Sequence, residues 1–78
     1  MQLIDFVLRG EHIKLDALLK ATGLASSGGA AKRLVGDGLV QVDGRGELRK
    51  TCKIRSGQIV SLTGVRVLVM ADPGAADL

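Results

Sequence analysis

The sequence predicts an α+β fold, in which a hairpin of two short helices packs on a small, mainly antiparallel sheet. Three observations support this prediction. Leu15, Leu18 and Leu19 recur at the i, i+3 and i+4 spacing of an amphipathic helix. Asp43-Gly44, a strong hairpin signal, follows an apolar run at residues 39–42. Residues 47–55 then alternate with the two-residue period of a strand.

The first part of the chain is predicted to hold one strand and both helices. The apolar run at residues 3–8 indicates a strand, although a short helix would have the same length. The first helix covers residues 15–22 and ends at Gly23. The second covers about residues 27–37, with the Ser27 hydroxyl as its N-cap and Gly38 just after its end. A short connection makes the pair a helical hairpin.

The second part of the chain is predicted to be β-structure. Residues 39–42 and 47–55 flank the hairpin turn, and residues 59–63 and 65–70 follow as two further strands. Residues 71–78 carry little apolar bulk, so we expect them to form a frayed tail.

Length and composition indicate one domain that spans residues 1–78. A chain of 78 residues is too short for two stable cores, and its 46% of hydrophobic residues excludes a disordered protein. No segment approaches the roughly 20 apolar residues needed to span a bilayer. Asp5 interrupts the first apolar run, where a signal peptide would continue. We therefore expect a cytoplasmic protein without membrane contact.

The basic residues are concentrated in the middle of the chain. The net charge is +3, but residues 32–66 hold eight bases against three acids, whereas residues 1–31 hold three of each. A local excess of this kind is typical of a patch that meets a polyanion. A charged face that serves only solubility is the alternative, and charge alone does not decide between them.

Two local patterns suggest phosphate binding. In an extended strand Arg49, Lys53 and Arg55 would share one side, on which residues two positions apart are separated by roughly 6.6 Å. An edge strand whose charges deter aggregation is the alternative. Residues 27–29 would expose backbone N–H groups at a helix start, or they would simply permit a tight turn between the helices.

Catalysis finds no support in the sequence. Cys52 and His12 are the single cysteine and the single histidine, so an internal disulfide and a multi-cysteine zinc site are excluded. Cys52 alternates with apolar residues, which predicts a small buried side chain. We expect no catalytic residue, no metal and no cofactor. The remote alternative is a redox or transferase activity at Cys52.

The single aromatic residue, Phe6, bears on the kind of nucleic acid that could bind. Proteins that hold single strands by base stacking use several aromatic platforms. With one aromatic residue in the neutral part of the chain, folded RNA engaged through phosphates, 2′-hydroxyls and shape is the better expectation.

Positions spread over about residues 12–63 follow one recurrent pattern. They are Lys14-Leu15-Asp16, Leu18-Leu19, Gly23, Ser27, Ala31-Lys32, Leu34-Val35, Gly38, Val40, Val42-Asp43-Gly44, Lys53-Ile54, Gly57 and Val60. This string resembles the S-four RNA-binding domain (S4 domain) family, which is built around the αL motif. Residues 27–32 and 49–54 are similar in particular to the small stand-alone bacterial members.

The resemblance implies one continuous RNA-contacting surface, formed by the helical hairpin and the start of the β region. We expect the following residues to form it: Lys14, Ser27, Gly28, Gly29, Lys32, Arg33, Arg45, Arg49, Lys50, Lys53 and Arg55. Two positions depart from the family pattern. Gly28 stands where many members carry Arg or Lys, and Asp43 stands where Asn is common.

The sequence therefore predicts a non-catalytic, monomeric protein that binds structured RNA of ribosomal or transfer RNA type, with the ribosome as a candidate partner. The alternative is a protein-interaction module that docks on a ribosomal or RNA-processing partner. That alternative requires an apolar patch on the solvent face of the sheet, for which Val65, Val67 and Val69 are the candidates.

Overall fold

The structure is a computed structural model and describes residues 1–72. Its elements follow in the order β1 (Gln2–Leu8), β2 (Ile13–Lys14), α1 (Leu15–Ala21), α2 (Gly28–Gly36), β3 (Gln41–Val42), β4 (Arg45–Gly46), β5 (Lys53–Ile54), β6 (Ile59–Leu62) and β7 (Val65–Ala71). Ala71, predicted as the start of the tail, is instead the last residue of β7. Residues 73–78 of the predicted tail lie outside the described residues.

The strands form a five-stranded sheet in the order β1-β7-β6-β3-β4 and a separate pair of β2 with β5. Strand β1 runs parallel to β7, and the four other pairings within residues 1–72 are antiparallel. The predicted α+β class and the mainly antiparallel sheet are confirmed. The run at residues 3–8 is a strand rather than the alternative short helix.

Both helices form where the sequence predicts them. Leu15, Leu18 and Leu19 are fully buried, so the apolar stripe of α1 faces the core. The Ser27 hydroxyl accepts a hydrogen bond from the Ala30 N–H at 3.1 Å, which confirms the N-cap of α2. With seven and nine residues, the two helices of residues 1–72 are too short to cross a membrane.

The helices cover one face of the sheet, here called the inner face. Val60, Val67 and Val69 point to this face and are buried, and Val65 is half-buried. The prediction that Val65, Val67 and Val69 form a patch on the solvent face is therefore wrong. Strand β7 is apolar on both sides except at Arg66, so alternation could not show which side the helices would cover.

The opposite, outer face of the sheet carries the exposed side chains of the long strands. Leu3 and Val7 on β1 and Met70 on β7 are 65%, 47% and 45% exposed. The register places Val7 beside Met70 and Leu3 beside Arg66. The helices and the core therefore lie on one side of the sheet, and these exposed apolar side chains lie on the other.

The predicted long strand at residues 47–55 is wrong, because only Lys53–Ile54 is extended. Residues 49–52 turn instead, with a hydrogen bond from the Cys52 N–H to the Arg49 carbonyl at 3.1 Å. A row of cations at strand spacing does not form. The strand predicted at residues 39–42 is likewise shorter and covers Gln41–Val42.

Candidate nucleic-acid interface

The basic loop at residues 49–53 caps the start of α1. The N-cap residue of this helix, Lys14, makes no side-chain capping hydrogen bond. Its first two N–H groups, on Leu15 and Asp16, donate to the carbonyls of Cys52 and Lys50 at 2.9 and 3.0 Å. A helix leaves its first N–H groups without intrahelical partners, and the loop carbonyls satisfy two of them. The cap therefore fixes the position of the loop, and with it the basic side chains, beside α1.

Two lysines lie directly opposite each other next to this cap. Lys14 on β2 and Lys53 on β5 are paired in the antiparallel register, and both are exposed. Directly opposed residues of an antiparallel pair have Cβ atoms roughly 4.5–5.5 Å apart, and like charges in this arrangement are destabilising. No acid within residues 1–72 forms an ion pair with either lysine. The fold thus holds two uncompensated cations side by side.

Arg49 is held by an acid that the sequence did not single out. The Glu47 carboxylate accepts hydrogen bonds from the Arg49 backbone N–H at 3.1 Å and from its guanidinium Nε at 3.3 Å. These bonds, with a smaller contribution from the Cys52 thiol, lower the pKa of Glu47 to about 2. The same carboxylate raises the pKa of Arg49. Glu47 therefore orients the guanidinium, whose side chain remains 78% exposed.

A polar network around the hairpin turn holds the backbone of Arg55 and links it to the turn that precedes Arg45. The Asp43 carboxylate accepts from the Ile59 N–H at 2.9 Å and from the Gln58 side-chain amide at 3.0 Å. The side-chain oxygen of the same amide, Gln58 Oε1, in turn accepts from the Arg55 backbone N–H at 2.7 Å. This network, here called the Asp43 clasp, joins the β3–β4 turn to the β5–β6 turn. The backbone N–H of Ile59, then Gln58, lower the pKa of Asp43.

The start of α2 carries the other predicted site residues. Ser27, Gly28 and Gly29 are exposed, and the N–H groups of the two glycines have no acceptor within residues 1–72. Lys32 and Arg33, one turn further along, are exposed as well. No hydrogen bond or ion pair in the described chain joins these side chains to residues 45–55. The packing of α2 on α1, together with the cap of α1 by the loop, links the two groups.

Two concave surfaces adjoin the basic loop. The first has a volume of about 330 Å³ and is lined by Arg49, Thr51, Cys52 and Lys53. The second has a volume of about 470 Å³ and is lined by Val42, Asp43, Arg45, Gly46, Glu47, Cys52 and Gln58. Cys52 is half-buried and forms a wall of both. Burial, followed by the adjacent Glu47 carboxylate, raises the pKa of the Cys52 thiol, which disfavours the thiolate.

Glu47 and Gln58 are the polar residues of this region that sequence reasoning missed. If residues 47–55 formed a strand, Glu47 and Arg49 would simply be two charged residues on the same side of it. The sequence therefore offers no reason to expect that Glu47 would hold Arg49. Gln58 contacts Asp43 across 15 positions of sequence, and no local pattern signals such a contact. Within residues 1–72 no three His, Cys, Asp or Glu side chains lie close enough to hold a metal.

A family model described as the S4 domain matches residues 6–70. The chain belongs to the S4 domain family. This match confirms the resemblance and extends beyond the residues on which it was based, because it also includes the last three residues of β1 and most of β7.

Individual relatives agree with the S4 domain assignment. YbcJ of Escherichia coli (strain K12) and YbcJ of Shigella flexneri are each 48% identical over 60 residues, covering 77% of this chain and 86% of each relative. The solution structure of YbcJ from E. coli matches with a TM-score of 0.66 at 42% identity, over 91% of this chain and 89% of that one. That structure is described as revealing an αL motif involved in RNA-binding.

Proposed function

We propose that this S4 domain protein is a non-catalytic RNA-binding protein that engages structured RNA through phosphate contacts and shape. The observation that carries the proposal is the Lys14–Lys53 pair, which holds two like charges opposite each other without an ion pair to any acid of residues 1–72. An RNA phosphate between them would relieve this repulsion. The description of the related YbcJ structure as RNA-binding supports the same function and favours it over the protein-interaction module.

The remaining predicted site residues would extend the contact on both sides of this pair. Lys50, on the loop that caps α1, adds a third cation, and the exposed N–H groups at the start of α2 offer a further phosphate contact. The full proposed surface comprises Lys14, Ser27, Gly28, Gly29, Lys32, Arg33, Arg45, Arg49, Lys50, Lys53 and Arg55. We propose that residues 1–78 act as one domain, as a monomer in the cytoplasm, on an RNA such as that of the ribosome.

Folded RNA fits better than single strands. Phe6, the one aromatic residue of the sequence, is half-buried against the core. It leaves no aromatic platform on which successive bases could stack. The raised pKa of Cys52 keeps its thiol protonated at neutral pH, so the nucleophilic thiolate is disfavoured. This supports a function without catalysis.

A salt titration with a structured RNA hairpin tests the proposal. If about five phosphates are contacted, log K should fall with log salt at a slope of roughly −4. Filter binding between low and physiological salt measures this slope. A slope near zero would overturn phosphate recognition.

A charge reversal tests the lysine pair itself. Lys53→Glu should weaken binding to every RNA hairpin, because it replaces a phosphate contact by a repulsion. Arg66→Glu is the matched control: it makes the same change of charge at an exposed residue on the outer face of the sheet. Equal losses in the two variants would show that only net charge matters and that the surface is wrongly placed.

A further inference from the structure

Apart from Arg45, the polar residues of the larger concave surface beside the basic loop have no part in the proposed phosphate contacts. The volume of this surface, about 470 Å³, falls in the range of small-molecule sites, roughly 300–1,000 Å³. Its polar lining consists of two carboxylates, on Asp43 and Glu47, one guanidinium, on Arg45, and the amide of Gln58. In the neighbouring concave surface, by contrast, the charged lining residues are both basic, Arg49 and Lys53.

The polar groups of this cavity are fixed but not saturated. Each oxygen of Asp43 accepts one hydrogen bond, and a carboxylate oxygen has two lone pairs, so one acceptor site remains on each. Glu47 is held through the oxygen that faces Arg49. The Arg45 side chain has no hydrogen bond or ion pair to any residue of the described chain. Fixed acceptors and a free donor together favour a ligand with complementary groups.

The charges of the cavity decide the class of ligand. Glu47 is paired with Arg49, and Asp43 balances Arg45, so the cavity has no net positive charge to hold a phosphate. Its carboxylate oxygens instead favour a neutral group that is rich in N–H donors. The adjoining concave surface, with Arg49 and Lys53 in its lining, attracts a phosphate. Since Cys52 is a wall of both, the two sites lie next to each other. A nucleotide combines the same two chemical parts, a base with N–H donors and an anionic phosphate.

We propose that this cavity binds one unstacked base of the RNA, with guanine preferred, while the attached phosphate lies at Arg49 and Lys53. Guanine presents two neighbouring donors, N1–H and the N2 amino group, to the carboxylates, and its O6 accepts from Arg45. Uracil offers a single N–H between two carbonyls and leaves a carboxylate without a partner. Specific RNA recognition commonly reads the Watson–Crick edges of unstacked bases in this way. The inference rests on the proposed RNA-binding function and adds base selectivity to it.

The test compares RNA hairpins with one stem and a single unpaired nucleotide, either G or U. Full-length protein should bind the G hairpin about tenfold more tightly at fixed salt, the size of one good base contact. Asp43→Asn should reduce this preference to less than about twofold, because its NH₂ group replaces an acceptor. Asn tolerates the positive φ of 52° at this position and keeps an acceptor for Ile59, while the hydrogen bond from the Gln58 amide is lost with the second acceptor. Asp5→Asn, on the outer face, is the matched control and should keep the preference.

Nuclear magnetic resonance with small probes gives a second measurement on the unmodified protein. Guanosine monophosphate should shift the backbone amide signals of Asp43, Gly46 and Gln58, whereas inorganic phosphate should leave those three signals in place and shift those of residues 49–53. Equal affinity for the two hairpins with the salt slope intact would overturn the base site and leave RNA binding standing. Failure of both hairpins to bind at low salt would overturn both.

Discussion

Lys14 and Lys53 show how a binding residue can oppose the stability of its own fold. Each lysine lies opposite the other in the two-residue β2–β5 pair, where strand pairing offers few other interactions. The repulsion between them persists in the free protein and disappears once an anion lies between them. Stability and RNA affinity should therefore respond in opposite directions to the loss of one charge.

Replacing Lys53 by Gln should raise the free energy of unfolding by about 0.2–1 kcal/mol, because it removes the like-charge pair. The same change should weaken RNA binding and reduce the salt slope by roughly 0.8, the loss of one phosphate contact. Urea unfolding and filter binding measure the two effects. Arg66→Gln is the control; a loss of stability in Lys53→Gln would contradict the repulsion.

Glu47 should make stability depend on pH in the acid range. Its pKa is lowered in the folded protein from 4.5 to about 2, so its stabilising contribution is complete above about pH 5 and is lost as the pH falls toward 2. Glu47→Gln should be less stable than the parent at pH 7 and should lose less stability between pH 5 and pH 2. Urea unfolding across this range measures the difference.

Glu11→Gln, at an exposed acid outside the loop, is the control for that measurement. It should retain the pH dependence of the parent protein. If Glu47→Gln also retained it, the hydrogen bonds between Glu47 and Arg49 would not be holding the loop.

Helix α2 begins with a glycine that has room for a larger residue. A Cβ atom added at Gly28 would meet no atom within 4 Å, and its φ is not among the positive values. The glycine is therefore not required for the turn between the helices. It follows that the missing cation relative to the family pattern can be restored without strain.

Gly28→Lys should strengthen RNA binding and make the salt slope steeper by roughly 0.7–0.9, the effect of one added phosphate contact. Gly28→Gln adds a side chain of similar length without the charge and should leave the slope unchanged. Salt titration of both variants with the same hairpin is the measurement. An unchanged slope in Gly28→Lys would place the start of α2 outside the interface.

The elements that the sequence predicts correctly are those with a local cause. Leu15, Leu18 and Leu19 mark α1 by their spacing, Ser27 marks the start of α2, and the turn at Asp43 is signalled by the glycine that follows it. The prediction of one strand over residues 47–55 is wrong for a non-local reason. The backbone carbonyls of this segment bond to the start of α1, so the loop turns where simple alternation indicates a straight strand.

The candidate site divides in the same way. Its basic residues could be named from charge and from the family pattern, because both are visible in the sequence. The Asp43 clasp and the cavity it borders could not, since they depend on contacts between turns 15 or 16 positions apart. The faces of β7 were equally undetermined, because apolar residues lie on both of its sides.

Across the molecule as a whole, the proposed RNA-binding residues and the exposed apolar residues of the long strands lie on different sides of the sheet. Helices and the basic loop lie on the inner side of the sheet, and Leu3, Val7 and Met70 lie on the outer side. Arg66 and Asp5, on the outer face, are suitable control positions for the binding experiments because a change of charge there does not approach the proposed interface.

The parallel pairing of β1 with β7 also constrains how the protein is made. Gln2 pairs with Val65, so the first strand waits for a partner that is translated roughly 60 residues later, the kind of distant contact that slows folding. On the ribosome, the nascent chain can form its helices and central hairpin early. Its first strand stays without its neighbour until β7 has been synthesised, exposing apolar side chains on both sides to any chaperone nearby.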